Sequence, residues 1–291
     1  MGNMRRLLLS LIIMITTLPV WAEEMEGNLK PIKIYIHTDL EGISGVDRFE
    51  MMDQEGEGYQ EARKLLMQDV NAAVEGAFLG GADEVTVLDS HDGAHNFLPE
   101  MLDKRAVQDP RENKKWWGAL DDSYAGTFFI GAHAMAGTLN GFLDHTQSST
   151  AWHDYSINGR KMGELAQWAI VAGNFGVPML MVSGDEAACR EAQEFFGPVE
   201  TAVVKKAIGR NKAECLPLDE AHARIREAAR RAISLIGKAK PFIPQKPMTI
   251  VLEYNRSDYC DSAVARLNYV ERLDARTIRW VTSDPLAILP K

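Results

Sequence analysis

Residues 32–36 (Ile-Lys-Ile-Tyr-Ile) alternate along a β-branched run and are followed by polar residues and Gly42, the pattern of a strand running into a loop. From Tyr59 to Gly80 the period changes. Leu66, Val70, Val74 and Phe78 recur every four residues, which predicts a helix closed at Gly80-Gly81. Residues 84–88 and 127–130 read as two further strands, separated by a polar, irregular stretch over 103–126 in which Trp116-Trp117 is placed to cover a core edge. Asn158-Gly159 between two short apolar-polar runs predicts a hairpin. A helix follows over 163–174, then a buried strand over 177–182 and a helix over 186–196 with Asp185 as its N-cap. A long Ala- and Arg-rich helix spans 219–236. After the proline-punctuated stretch 241–247 come a strand at 249–254, a helix near Ser262 and a strand at 277–281. Strands alternating with helices predict an α/β fold, a mostly parallel sheet flanked by helices. Residues 23–240 form the core of this reading, and 241–291 a smaller C-terminal α/β extension or subdomain.

The first residues stand outside that pattern. Arg5-Arg6 precede an almost wholly apolar run from Leu7 to Val20, and Val20-Trp21-Ala22 leads into the acidic Glu23-Glu24. This predicts a signal peptide over 1–22, cleaved after Ala22, and a periplasmic or secreted protein. An uncleaved N-terminal anchor is the alternative, although the run is short for a membrane span. No second apolar run approaches that length, so no stable membrane association is expected after cleavage. Overall composition is that of a globular chain, with 46% hydrophobic and 25% charged residues. Acidic residues number 41 against 32 basic ones, a net charge of −9. That excess argues against general nucleic-acid binding and makes metal cations more natural partners. Cys189, Cys215 and Cys260 are widely spaced and odd in number, so three unpaired thiols are expected and a thiolate zinc site is disfavoured.

In parallel sheets, sites form where loops leave the carboxyl ends of strands. The first strand runs into His37-Thr38-Asp39-Leu40-Glu41-Gly42. Extended backbone there puts Asp39 and Glu41 on one face, and Gly42 lets the chain turn away. The second strand ends in Asp89-Ser90-His91 and the third in Gly131-Ala132-His133. Two carboxylates and two imidazoles at one sheet edge suit zinc or a similar divalent ion. Glu164, in the first turn of its helix, faces the same loop layer. Each piece also has a plain reading: Asp-x-Glu as a solvated strand end, Asp89 as a turn former, Glu164 as a residue favoured by the helix dipole. Their agreement on one edge is what points to a metal. Ser44 and Ser90 lack a nucleophile elbow, which disfavours a serine hydrolase. His95, His153 and His222 read as loop or surface histidines.

Asp39-Leu40-Glu41-Gly42-Ile43-Ser44-Gly45 resembles the Asp-x-Glu-Gly-Ile-Ser-Gly opening of the DppA-type D-aminopeptidases, a family of dinuclear zinc peptidases. The likeness continues in order through Asp89-Ser90-His91, Gly131-Ala132-His133-Ala134, Asp144-His145-Thr146, Gly163-Glu164-Leu165 and Val182-Ser183-Gly184-Asp185 to Cys215-Leu216. After Pro247 it becomes loose. The resemblance implies two zinc ions per subunit held by Asp39, Glu41, His91, His133 and Glu164, with Asp39 bridging. It implies that His145 is catalytic, donating a proton to the leaving amine or stabilising the oxyanion. It also implies a ring-shaped homo-oligomer, with a decamer as the expected size. The resulting expectation is an exported zinc-dependent aminopeptidase that cleaves short peptides with an N-terminal D-residue such as D-Ala. A zinc amidohydrolase or L-aminopeptidase on the same scaffold is the alternative. A non-catalytic periplasmic metal- or peptide-binding protein fits less well with an intact His145. Family members usually carry Ser at the position of His37, two residues before Asp39 and on the same strand face.

Overall fold

The computed structural model describes residues 30–112 and 115–290, so the signal peptide expected over 1–22 lies outside the described residues. The chain runs β1 (Lys33–Thr38), α1 (Glu57–Gly80), β2 (Glu84–Asp89), β3 (Ala106–Gln108), β4 (Gly126–Ala132), β5 (Trp152–Ile157) and β6 (Arg160–Lys161). It continues with α2 (Glu164–Asn174), β7 (Met179–Asp185), α3 (Glu186–Phe196), β8 (Glu200–Gly209), β9 (Lys212–Cys215) and α4 (Leu218–Ala232). The last elements are β10 (Met248–Tyr254), α5 (Ser257–Arg266), β11 (Glu271–Arg272) and β12 (Thr277–Thr282).

The main sheet has seven strands in the order β3-β2-β1-β4-β7-β8-β9, parallel throughout except for the β8–β9 pair. Alternation along β1 explains its two faces. Ile34 and Ile36 join a core with Leu66, Val70 and Val74 of α1 and Ile225 of α4, whereas Tyr35 joins Trp168 of α2 on the other side. Each of the fully buried Leu66, Val70 and Val74 contributes about 1.5–3 kcal/mol through burial. Gly81 ends α1 in the left-handed region, at φ 105°, which a side chain would resist.

A second, antiparallel sheet, β11-β12-β10-β5-β6, packs on the α2 side. Its pairing of Ile250 with Ile157 and of Leu252 with Tyr155 means that the segment after Pro247 shares a sheet and a core with the middle of the chain. The Asn158-Gly159 turn appears between β5 and β6 as expected, with both residues at positive φ. The helix expected over 219–236 ends earlier, at Ala232, and tightens into a 3₁₀ turn over Ile233–Leu235.

The strand order places the site. From β1 the chain moves outward to β2 and β3, then returns to β4 on the opposite side of β1. The winding direction reverses between β1 and β4, and the loops leaving their carboxyl ends part there to open a crevice.

Candidate metal centre

Backbone hydrogen bonds seat the first ligand loop on the end of β4. Asp39 N donates to Ile130 O and Gly42 N to Gly131 O, each at 2.8 Å. The approach leaves no room for a side chain. A Cβ on Gly42 would lie 2.1 Å from Ala132 O, and one on Gly131, where φ is +84°, would lie 2.1 Å from Asp39 O. His91 opens a 3₁₀ turn directly after β2. Asp89 fastens that loop, accepting from Asn96 N at 2.7 Å, Phe97 N at 3.0 Å and Asn96 Nδ2 at 2.8 Å. Its carboxylate is therefore spent on the turn. His133 follows β4, and Glu164 is the first residue of α2 after its Gly163 N-cap.

These elements bring Asp39, Glu41, His91, His133, His145 and Glu164 together. His91 Nδ1 is 2.9 Å from Asp39 Oδ1 and 3.1 Å from Glu41 Oε2, the latter off-axis and not hydrogen-bonded. His133 Nε2 is 3.4 Å from both Asp39 Oδ2 and Glu164 Oε1. His145 Nε2 is 3.6 Å from Glu164 Oε1 and 4.0 Å from Glu41 Oε1, and its ring stacks on that of His133 at 4.0 Å.

The tautomers follow from the partners. His133 Nδ1 faces Ala134 O at 3.0 Å and His145 Nδ1 faces Leu143 O at 2.8 Å. A carbonyl only accepts, so both Nδ1 atoms carry the proton and both Nε2 atoms present a lone pair to carboxylates. Lone pairs facing lone pairs in a buried site repel unless a cation, either a proton or a metal, sits between them. Glu41 Oε2 and His133 Nε2 are buried without a hydrogen-bond partner among the described residues. The ligand atoms of Asp39, Glu41 and His133 lie within 4.8 Å of one another, as do those of His133, His145 and Glu164. Such nitrogen and oxygen donors fit zinc.

The electrostatics agree. Burial alone would lower the imidazole pKa values, yet Glu41 and Asp39 hold His91 well above its usual range, and Glu164 and Asp39 do the same for His133. Burial pushes Glu164 up, but the charge and hydrogen bond of His133 take it down to about 2. Glu41 is likewise held well below the carboxylate range, by His91 against burial. Asp39 goes the other way, raised by burial and by the charge of Glu41. A cluster that strains to retain protons on its imidazoles is short of positive charge.

Two supports were not evident in the sequence. Lys205 is buried in β8, where Nζ donates to Glu41 O and Val46 O, each at 2.6 Å, and burial lowers its pKa to about 8. Glu191 of α3 accepts from Met135 N at 3.0 Å, and burial raises its carboxyl to about 7. Neither residue type is expected inside, so their only sequence signal is that each falls on the inward face of its element. Asp185 caps α3 through Ala188 N and also accepts from Phe142 N, both at 2.8 Å. Asp144 accepts from Gly137 N at 2.7 Å and pairs with Arg210 at 3.2 Å, and the partner that orients His145 is the Leu143 carbonyl. His95 is exposed, His153 lies beside Asn255, and His222 faces Asp69 at 3.3 Å. All three cysteines are unpaired, with Cys189 and Cys260 buried and Cys215 partly so.

The centre opens into a pocket of about 730 Å³ whose walls include His37, Arg111 and Trp116. His37 stacks on Trp168 at 4.1 Å, and its Nδ1 pairs with Ser90 Oγ at 3.0 Å. Burial lowers its pKa to about 3, so the ring is neutral.

Comparison with known proteins gives one consistent answer. Residues 32–290 match the sequence profile of peptidase family M55, D-aminopeptidase. The D-aminopeptidase of Bacillus subtilis strain 168 is 35% identical over 225 residues, covering 77% of this chain and 81% of its own length. The solved structure of the Zn-dependent D-aminopeptidase DppA from Bacillus subtilis, described as a self-compartmentalizing protease, superposes with a TM-score of 0.82 at 30% identity. That match covers 88% of this chain and 94% of the other.

Proposed function

Because the chain belongs to the D-aminopeptidase family, we propose that this zinc-dependent metallo-aminopeptidase is exported and removes an N-terminal D-residue, such as D-Ala, from short peptides. The observation that carries the reading is the buried lone pair of His133 Nε2 set between Asp39 and Glu164, an arrangement that calls for a cation. We assign two zinc ions per subunit to Asp39, Glu41, His91, His133 and Glu164. The two oxygens of Asp39 face different imidazoles, which suits a bridging carboxylate.

When bound, zinc supplies Lewis acidity and eases deprotonation of the attacking water. The chain's own groups do the rest. The three negative charges of Asp39, Glu41 and Glu164 nearly balance the two zinc ions they would hold, so the filled centre can receive a neutral α-amine. The Leu143 carbonyl fixes His145, so that when protonated the ring presents its second proton at Nε2, on the side of Glu41 and Glu164. From there the proton can pass to the leaving amine, or the charge can stabilise the oxyanion. The Asp39–Gly42 loop, stitched to β4 and braced by Lys205, keeps the carboxylates in place through the cycle.

A homo-oligomer, a ring of this chain, is part of the proposal, supported by the self-compartmentalizing character of the solved relative. Export rests on the apolar run before Ala22. Protein purified from its native host is expected to begin at Glu23. Intact-mass analysis finding Arg5 and Arg6 retained would indicate an anchor instead. The reaction is tested by comparing D-alanyl with L-alanyl amides. Faster release of alanine from the D-substrate is expected, and a preference for the L-form would reassign the enzyme to the alternative chemistry.

A further inference from the structure

The pocket holds a positive charge for which the zinc reading has no use. Arg111 lies in the β3–β4 loop in the left-handed region, at φ 52°, with its backbone N–H on Asp109 Oδ1 at 2.7 Å. Asp109 is itself buried and accepts from Ala119 N at 2.6 Å and from the Tyr35 hydroxyl of β1. The loop is thus pinned to β1, and the position of Arg111 is set by the fold. Its Nη1 donates to Asp89 O at 3.1 Å. Asp89 stands two residues before His91, a span of at most about 7 Å, comparable with the length of an extended dipeptide.

The guanidinium is half-buried and lines the same pocket as Asp39, Glu41 and Glu164, yet it makes no ion pair among the described residues. Only one of its five N–H donors is used among those residues. Arg210, the other arginine of the pocket wall, differs on this point because it is paired with Asp144 at 3.2 Å. An anchored guanidinium whose remaining N–H donors are unused among the described residues is suited to a carboxylate, which it can grip with two parallel hydrogen bonds. A short peptide is a zwitterion. With its amino end at the metal centre, its carboxylate then needs a cation within the same pocket.

We propose that Arg111 binds a carboxylate of the substrate residue following the scissile bond, so that the enzyme favours dipeptides with a free terminus over amides. This rests on the aminopeptidase reading of the pocket.

The test uses zinc-loaded protein and three substrates: D-alanyl-D-alanine, D-alanyl-D-alaninamide and D-alanyl-D-glutamic acid α-amide. The parent is expected to favour the acid over the alaninamide by roughly 10- to 100-fold in kcat/KM, mainly through KM. Arg111→Ala should bring that ratio close to one, and Arg111→Lys should leave an intermediate ratio, since a lysine keeps the charge but loses the fork. Recovery of the preference with the glutamic α-amide would show that a side-chain carboxylate is read too, which supports the same assignment. A parent ratio near one, or a ratio that survives Arg111→Ala, would overturn it. Calorimetry of the same peptides on zinc-loaded His145→Ala, with and without Arg111→Ala, separates this inference from the reaction. If no peptide is hydrolysed the aminopeptidase reading fails, while an Arg111-dependent preference for binding the acid still supports the carboxylate site. Equal binding of acid and amide would overturn that site whatever the turnover.

Discussion

His145→Ala is expected to lower turnover by roughly 10²–10⁴-fold while zinc content stays at the parental level. The imidazole is tied at Nδ1 to the Leu143 carbonyl, and its Nε2 stands 3.6 Å from Glu164 and 4.0 Å from Glu41. It is thus placed to move a proton at the mouth of the centre. The lost interaction belongs mainly to the transition state, so kcat should fall far more than KM rises. Metal analysis and steady-state kinetics on the same sample give a clear division. Turnover within a few-fold of the parent at full occupancy would make His145 a bystander. Loss of zinc together with activity would make it a ligand, an outcome for which its closeness to His133 and Glu164 provides the geometry.

Asp39→Ala should act on the metal itself. One carboxylate oxygen lies 2.9 Å from His91 and the other 3.4 Å from His133, so its removal takes a donor from each half of the cluster. Zinc affinity is expected to fall by more than the roughly 10–100-fold typical of losing a group that merely orients a ligand. Both ions should be depleted together, and hydrolysis with them. The fold should survive, because the two β4 contacts of this loop are made by backbone atoms of Asp39 and Gly42. Circular dichroism checks that point. A folded variant that still carries two zinc ions per chain would remove Asp39 from the bridging position.

Much of the architecture was legible because two periods of hydrophobicity are written plainly in the chain. The alternation of β1, the four-residue repeat of α1, the Asn158-Gly159 turn and the Asp185 cap all appear where local pattern puts them. What escaped has physical causes. Strand β8 carries Lys205 on its inward face, and a buried ammonium breaks the alternation by which strands are recognised. Strands β3 and β9 are three and four residues long, too short to show a period.

The convergence of the six site residues was readable only as far as each sat at a strand or helix end. Their meeting depends on β1 lying next to β4, about 90 residues later in the chain, a matter of sheet order and not of local sequence. Asp89 could be a ligand or a turn former by sequence, and three hydrogen bonds to its loop decide for the latter. Arg111 sits in a loop with no periodic signal, and only the folded pocket gives it a neighbour to act with.

Zinc titration into chelator-stripped protein, read by release of D-alanine from a D-alanyl amide, addresses metal and reaction together. Activity should be absent without metal, rise with added zinc and level off at two equivalents per chain. Full activity in the stripped protein, or no release at any zinc concentration from a folded chain, would contradict a zinc-dependent D-aminopeptidase.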